Sequence, residues 1–418
     1  MATAMKKRVK PFKYLWYLLL ATVFQLFSFI QVMTKITEDH MQYVAVFLSF
    51  LLLEWFYVII MRSVLKQKSF ELELIAFFLS GIGLSLIATV SFDYAMKQLI
   101  YILAGVMLFI LMRWLIANSD RVTLLRLPAA VFAAAALAFN LVAAQEFNGA
   151  KNWVQIGPVS LQPSEFVKVA FIFVGAATLD KLQTTKSVFK YLVFAAGCIG
   201  ALFLMRDFGA ALIFFATFLI IAYMRSGDWK TIAVICVAAV LGAILIISFK
   251  STVAARFATY RHIWDTPYDE GMQQTRMLIY SASGGLFGTG LGNGRLRDIY
   301  ASTTDLIFGM VCEEYGLIVG FIVLLTFAAI LVYTIASAKS ARTSFYVIAA
   351  CSAAGLLLVQ TSLNVFGVTD ILPWTGVTLP FVSRGGSSMM SCWALLAFIK
   401  SVDPRAYPKT LKETQITG

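Results

Sequence analysis

The sequence predicts an all-α, polytopic membrane protein, and three observations carry that prediction. Of the 418 residues, 60% are hydrophobic and only 13% are charged, whereas soluble domains carry about 25% charged residues. The mean hydropathy is +0.81. Apolar stretches of span length recur from residue 14 to residue 400, each close to the ~20 residues that cross a bilayer core as a helix. A soluble globular enzyme, a disordered chain and a fibrous protein are excluded. So is a porin-type barrel, which would show alternating strands of about 10 residues.

Twelve spans are expected, at about 14–34, 41–61, 71–91, 98–117, 127–145, 162–179, 188–205, 207–224, 231–249, 304–336, 343–366 and 378–400. The layout is a basic N-terminus (1–13), a leading pair of helices (14–70), a core (71–400) with loops at 146–161 and 250–303, and a tail (401–418). The first span follows Lys6, Lys7, Arg8, Lys10 and Lys13 and mimics a signal peptide. It lacks a clear small-residue cleavage site and reads as uncleaved. With the N-terminus in the cytoplasm, 22 of the 34 Lys and Arg residues fall on inside segments. The five short outside loops hold only Lys35, Lys97, Lys151 and Arg206. That asymmetry fits the positive-inside rule and puts both termini in the cytoplasm. The net charge of +12 is thereby sorted by membrane side, and no nucleic-acid partner is expected.

Segment 250–303 is the exception, with Lys250, Arg256, Arg261, Arg276, Arg295 and Arg297 outside. Long loops escape the rule, and loops this long are usually functional or disordered. Its aromatic residues and its Gly-rich end, SGGLFGTGLGNG, argue against plain disorder. Two uses stay open. One is a solvated basic loop. The other is a surface for an anionic substrate at the outer headgroup level, with glycines permitting close backbone approach.

Charges inside spans are expensive and are functional candidates by default. Glu54 in the second span has no basic neighbour in sequence and reads as structural or oligomeric. Glu165 and Lys168, three apart at the start of the sixth span, share a helix face and can pair, for structure or for function. Arg206 and Asp207 join the seventh and eighth spans. Asp305 follows Thr304 at the start of the tenth, where plain capping is the alternative. Glu313 and Glu314 lie further into that span and point in different directions; Arg384 sits near the start of the last span. After residue 145, every such cluster except Glu313–Glu314 falls on the outer side. One polar cavity opening to the outer leaflet, lined by both signs of charge, is expected. Cys198, Cys236, Cys312, Cys351 and Cys392 lie in apolar stretches, and His40 and His262 are the only histidines. Neither a disulfide framework nor a metal site is expected.

The segment NGAKNWVQIGPVSLQPSEFVK resembles the outer-loop signature of the SEDS family, the shape, elongation, division and sporulation proteins of the FtsW, RodA and SpoVE type. The matching positions are Asn148, Gly149, Ala150, Trp153, Gly157, Gln162, Pro163, Ser164, Glu165 and Lys168. Four further blocks follow in the family's order. They are Arg206-Asp207-Phe208-Gly209; Ser283 to Gly294; Thr304-Asp305 with Phe308, Glu313-Glu314 and Gly316; and a C-terminal block from Asn364 through Leu379-Pro380-Phe381 to Ser383-x-Gly385-Gly386-Ser387-Ser388. The resemblance implies a ten-span core, so the two N-terminal spans look like an addition. It implies a peptidoglycan glycosyltransferase that polymerises lipid II, a disaccharide-pentapeptide on undecaprenyl diphosphate, in the bacterial cytoplasmic membrane. A class B penicillin-binding protein, a transpeptidase, is the implied partner. Substrate contacts are implied for Lys151, Trp153, Gln162, Ser164, Glu165, Lys168, Arg206, Asp207, Asp305, Glu314, Ser383 and Arg384. No cofactor is implied, and no divalent-cation requirement is specified.

The match departs at three places. The family's catalytic base is an Asp directly before a Pro in the long outer loop. Here Trp264-Asp265-Thr266-Pro267 puts Thr266 there, and a threonine has no useful basicity at neutral pH. Asp265 is the first substitute and Asp269 the alternative, with Glu270 beside it. A homologue with weak or no polymerase activity is the third reading. Asn152 stands where Arg is usual, with Lys151 adjacent, and Met272 stands where an aromatic is usual. Two other classes stay open: a lipid carrier or flippase, and a non-catalytic scaffold for a penicillin-binding protein.

Overall fold

The computed structural model describes residues 14–36, 40–147, 150–156, 159–180, 185–230, 233–237 and 259–406. The 1–13 segment, Asn148, Gly149, Gly157, Lys250, Arg256, most of the 231–249 span and most of the tail lie outside the described residues.

The helices are α1 (Tyr14–Met33), α2 (His40–Ser63), α3 (Glu71–Ala88), α4 (Phe92–Ile116), α5 (Ser119–Ala143), α6 (Pro163–Asp180), α7 (Thr185–Leu204) and α8 (Phe208–Ser226). Beyond residue 259 follow α9 (Met272–Ser283), α10 (Leu317–Ala338), α11 (Ser344–Val368) and α12 (Gly386–Ser401). Among the described residues, eight helices (α1–α5, α8, α10 and α11) are long and apolar enough to cross a membrane. The chain is a helical polytopic membrane protein with about eight to ten apolar helices. Its outward faces carry Leu20, Phe27, Phe56, Met107, Leu127 and Phe321 exposed, as contact with lipid tails demands.

Lipid is as apolar as leucine, so such helices associate through close packing rather than hydrophobic burial. The α4–α12 contact shows how. A Cβ at Gly105 would lie 2.6 Å from the Trp393 ring, so glycine lets that ring reach the α4 backbone. Trp393 is fully buried, with its ring centroid 4.9 Å from Phe77, 6.0 Å from Phe109 and 5.8 Å from Phe381.

Contacts between the ends of the described helices fall into two groups. At one end, Tyr346 Oη donates to the carbonyl of Ile116 (2.8 Å), and Arg405 pairs with Glu71 (2.9 Å). At the other, the Arg384 amide donates to Thr303 O (2.8 Å), the Lys151 amide to Met205 O (2.9 Å) and Tyr260 Oη to Ile371 O (2.8 Å).

Four local expectations are corrected. The 146–161 loop sits within a three-stranded antiparallel meander, β1 (Gln145–Phe147), β2 (Ala150–Ile156) and β3 (Val159–Leu161), so the chain is not purely α. Gln145 faces Trp153 and Val154 faces Leu161 in its register. The described part of 250–303 is folded around α9 rather than running as an irregular loop.

The 304–336 span is broken: α10 starts only at Leu317, after one helical turn (Ile307–Met310) and a wide turn (Val311–Tyr315). The Gly-rich loop takes over the missing helical bonds. The amides of Thr289 and Gly290 donate to the carbonyls of Glu313 (2.8 Å) and Glu314 (3.1 Å), and Leu317 N donates to Gly285 O (3.0 Å). Gly316 has φ 92°, and a Cβ there would lie 2.3 Å from Leu286 O, so only glycine fits the break. Finally, the last span begins at Gly386 rather than near 378, because Pro380 lacks an amide hydrogen and Gly376 takes φ 67°.

Candidate functional site

At the end of the bundle that holds Thr303 and Arg384 lies a cavity of about 1380 Å³. Its walls come from α4, β2, α6, α8, the 259–274 segment, the 297–305 turns, α11 and the 370–388 segment. Eight of the predicted contact residues line it: Trp153, Gln162, Glu165, Lys168, Arg206, Asp207, Asp305 and Arg384.

Pro163 opens α6, where its missing amide hydrogen costs nothing. The first turn then presents Glu165, and one turn later Lys168 lies 2.8 Å from it. The pair ties three helices together. Lys168 Nζ donates to Gln360 Oε1 of α11 (2.9 Å), and Ser391 Oγ of α12 donates to Glu165 Oε2 (2.8 Å).

Asp207 caps α8 by accepting from Ala210 N (3.0 Å). Its other oxygen accepts from Gln162 (3.1 Å) and from Asn152 (3.0 Å). Asn152, where the family usually has Arg, thus joins β2 to α8 by an amide hydrogen bond. Arg206 holds φ 59°, a conformation that costs a non-glycine residue about 1–3 kcal/mol.

Arg384 stacks 3.8 Å above the Tyr94 ring, and its Nε donates to Thr303 Oγ1 (3.0 Å). Asp305 stands beside Gly376, and Asn364 of α11 holds its carbonyl (2.8 Å). Burial pushes the Asp305 carboxyl up to about 7, against a lowering hydrogen bond with Thr304.

The other predicted residues do not line the cavity. Lys151 is exposed beside it. Ser164 is buried, and its hydroxyl has no partner among the described residues. Ser383 is buried and works on the backbone, accepting from Leu379 N (2.8 Å) and donating to Thr304 O (2.6 Å). Glu314 and Glu313 are held by the Gly-rich loop. Glu314 accepts from Gly292 N (2.7 Å), and Glu313 from Arg295 N (2.7 Å) and Leu296 N (3.0 Å). Burial pushes the Glu314 carboxyl up to about 7. The Asp265 side chain is 72% exposed and 3.0 Å from His262. Asp269 is exposed as well. Of the three acids in that segment, Glu270 is the one lining the cavity.

Three cavity residues were missed as a group: Tyr94, Lys97 and Tyr101 of α4. Their spacing carried the signal, since three- and four-residue steps place them on one helix face. The expected span edge at 98 hid it. Among the described residues, no three His, Cys, Asp or Glu side chains are grouped to hold a metal ion.

Residues 70–407 match the family model of FtsW, RodA and SpoVE, described as cell cycle protein. The chain belongs to this SEDS family. It is 31% identical over 278 residues to the peptidoglycan glycosyltransferase RodA of Mycobacterium tuberculosis, covering 62% of this chain and 59% of that one. The SEDS chain therefore spans less than two thirds of the length of that relative. It is also 31% identical over 252 residues to the stage V sporulation protein E of Bacillus subtilis, covering 58% of this chain and 68% of that protein. The fold is that of RodA. The Thermus thermophilus rod shape determining protein RodA superposes with a TM-score of 0.59 at 22% identity, over 79% of this chain and 95% of that one. A chain from a peptidoglycan synthase complex, solved for how polymerization and crosslinking are coordinated, gives 0.66 at 22% identity, over 80% of this chain and 97% of that one. In this SEDS protein α1 and α2 precede the family match.

Proposed function

We propose that this SEDS protein polymerises lipid II at the outer face of the bacterial cytoplasmic membrane, beside a class B penicillin-binding protein. One observation carries the proposal: lysine, arginine and carboxylate groups from distant parts of the chain line a single cavity at one end of a membrane bundle. The names of the relatives, peptidoglycan glycosyltransferases among them, support the same reaction. In the proposed topology the cavity end faces out, both termini lie in the cytoplasm, and α1 and α2 add two spans to a ten-span core.

In the reaction, a carboxylate takes the proton of an acceptor sugar hydroxyl. The hydroxyl oxygen then bonds to the donor's anomeric carbon, and the bond to the diphosphate breaks. Cations stabilise the departing diphosphate. Gln162, Trp153 and Asp207 offer hydrogen bonds and a ring face to sugar. Glu270 is the base best placed by geometry. Asp265, the candidate from the sequence, serves if the 259–271 segment turns inward on substrate binding.

The test is gel analysis of glycan strands made from lipid II by the purified chain with its transpeptidase. Polymer is expected, lost in Glu270→Gln and retained in Asp265→Asn; the reverse pattern assigns the base to Asp265. Absence of polymer with any partner, together with lipid II translocation in liposomes, would sink the glycosyltransferase proposal in favour of a carrier.

A further inference from the structure

We propose that the α4–α12 side of the cavity is a diphosphate-binding subsite formed by Arg384, Lys97 and Tyr94. The inference deepens the lipid II proposal, on which its choice of ligand rests, and is argued from which charges are already engaged. Among the described residues, five cations line the cavity: Lys97, Lys168, Arg206, Arg297 and Arg384. Lys168 is neutralised by Glu165 (2.8 Å) and bonded to Gln360 (2.9 Å). Arg297 donates to Gly292 O (3.0 Å) and lies 3.8 Å from Asp298. Arg206 has a partner too. Lys97 and Arg384 remain.

Arg384 is built as a fork. The Tyr94 ring lies 3.8 Å beneath the guanidinium, Nε is tethered to Thr303 Oγ1 (3.0 Å), and the residue's own amide is tethered to Thr303 O (2.8 Å). These contacts fix the guanidinium plane and leave its two terminal nitrogens without a hydrogen bond to any described residue. A planar edge with two parallel donors matches two oxygens of one phosphate. Lys97, three residues from Tyr94, shares that face of α4 and is exposed, with no ion pair to a described residue. It supplies a mobile point charge for the second phosphate. The side formed by β2, α6 and α8 has the opposite chemistry, with Asn152, Gln162 and Asp207 already joined in one hydrogen-bonded set. Those groups suit hydroxyls, and the Asp207 carboxylate among them repels a dianion. The cavity is thus sorted into an anion side and a sugar side.

The experiment measures binding of undecaprenyl diphosphate, undecaprenyl monophosphate, undecaprenol and inorganic pyrophosphate to the full chain in nanodiscs by native mass spectrometry. Undecaprenyl diphosphate should bind most tightly, with pyrophosphate competing. Arg384→Gln should weaken it by about tenfold or more, the usual scale for a lost charged hydrogen bond. Lys97→Gln should weaken it by about threefold, as a more solvated charge would. Arg384→Lys should not restore binding. Tyr94→Phe should keep it, and Tyr94→Leu should lose it at an unchanged unfolding midpoint. Undecaprenol binding should be the same in every variant.

Wild-type diphosphate affinity in the Arg384→Gln/Lys97→Gln double variant overturns the subsite, as does equal binding of undecaprenol and undecaprenyl diphosphate. Polymerisation by wild type alongside either result leaves the glycosyltransferase proposal standing. Diphosphate binding through these residues without polymerisation under any partner supports the subsite and removes the glycosyltransferase.

Discussion

Two lysine–glutamate pairs, one at each end of the bundle, have nearly the same geometry and opposite surroundings. Lys400 and Glu73 are 2.9 Å apart and fully buried. Lys168 and Glu165 are 2.8 Å apart with side chains 2% and 8% exposed. Within the first pair, Lys400 and both Glu73 oxygens are fully hydrogen-bonded. Lys400 also donates to the carbonyl (2.7 Å) and hydroxyl (3.0 Å) of Ser69, and Glu73 accepts from Gln67 (2.6 Å) and Tyr57 (3.2 Å). Arg113 donates to Gln67 (2.6 Å) and to Ala406 O (3.0 Å), while Asp403 accepts from Ser69, Tyr333 and Arg405. Around the second pair, Gln360 and Ser391 complete the shell on one side, and the cavity forms the other. Pairing chemistry alone therefore does not make a site. A buried ion pair repays its desolvation only when fully hydrogen-bonded. The closed end meets that condition and locks α3, α4 and the end of α12 together, whereas the open end leaves one face for a ligand.

The largest effect should come from breaking the closed pair. Lys400→Met leaves Glu73 buried and unpaired, at about 3–5 kcal/mol, read as a collapsed thermal midpoint in detergent. Adding Glu73→Gln should recover much of the loss. A Lys400→Met protein as stable as wild type would break the comparison at its root. Glu165→Gln should do the reverse, cutting lipid II turnover by about 100-fold, or about 2.7 kcal/mol of barrier, while its midpoint moves far less than that of Lys400→Met. Asp207 sharpens the contrast further. Asp207→Ala removes the α8 cap at about 1 kcal/mol and Asp207→Asn keeps it. Stability should separate these two variants; turnover should fall in both, because both lose the carboxylate.

The open end was far more legible in the sequence than the closed end. Glu165 and Lys168 are three residues apart, and helical periodicity makes that spacing a contact. Glu73 and Lys400 are 327 residues apart, and no local rule joins them. Lys400 and Arg113 look like headgroup-facing charges in a positive-inside count, yet both are buried. The apolar runs revealed the bundle because membrane thickness dictates their length. They hid the break at Gly316, since the runs on either side of Glu313–Glu314 are long and apolar and the break depends on backbone bonds from a loop about 25 residues earlier. The β-meander was hidden for a similar reason: its strands are short, and β2 is tied down by Met205 at the end of α7. Asp265 stands out in the sequence by its position beside Thr266; a one-residue step in a turn re-aims a side chain, and of the acids in that segment Glu270 lines the cavity while Asp265 is exposed.

The smallest expected effect is in pH, and it too separates the two ends. Asp305 at the cavity is pushed up from 3.8 to about 7, chiefly by burial. Burial would raise Asp403 at the closed end as well, but hydrogen bonds from Arg405, the charge of Lys400 and hydrogen bonds from Ser69 and Tyr333 outweigh it and hold the carboxyl at about 2. The signs are opposite. Asp305 keeps its proton in the folded chain at pH values where the unfolded chain has lost it, so its stabilising contribution is present at low pH and fades as pH rises from about 4 through 7. Asp403 contributes above about 4 and loses its contribution as pH falls toward 2. Of these two carboxyls, only Asp305 titrates in the neutral range. Turnover should therefore show a limb near pH 7 of a few-fold, and Asp305→Asn should flatten it without moving the acid-unfolding midpoint that Asp403 helps set. A limb that survives Asp305→Asn would assign the neutral titration to another group; its loss in Asp403→Asn instead would mean that the closed end reaches the cavity through the helices, and the two pairs would have to be treated as one coupled network.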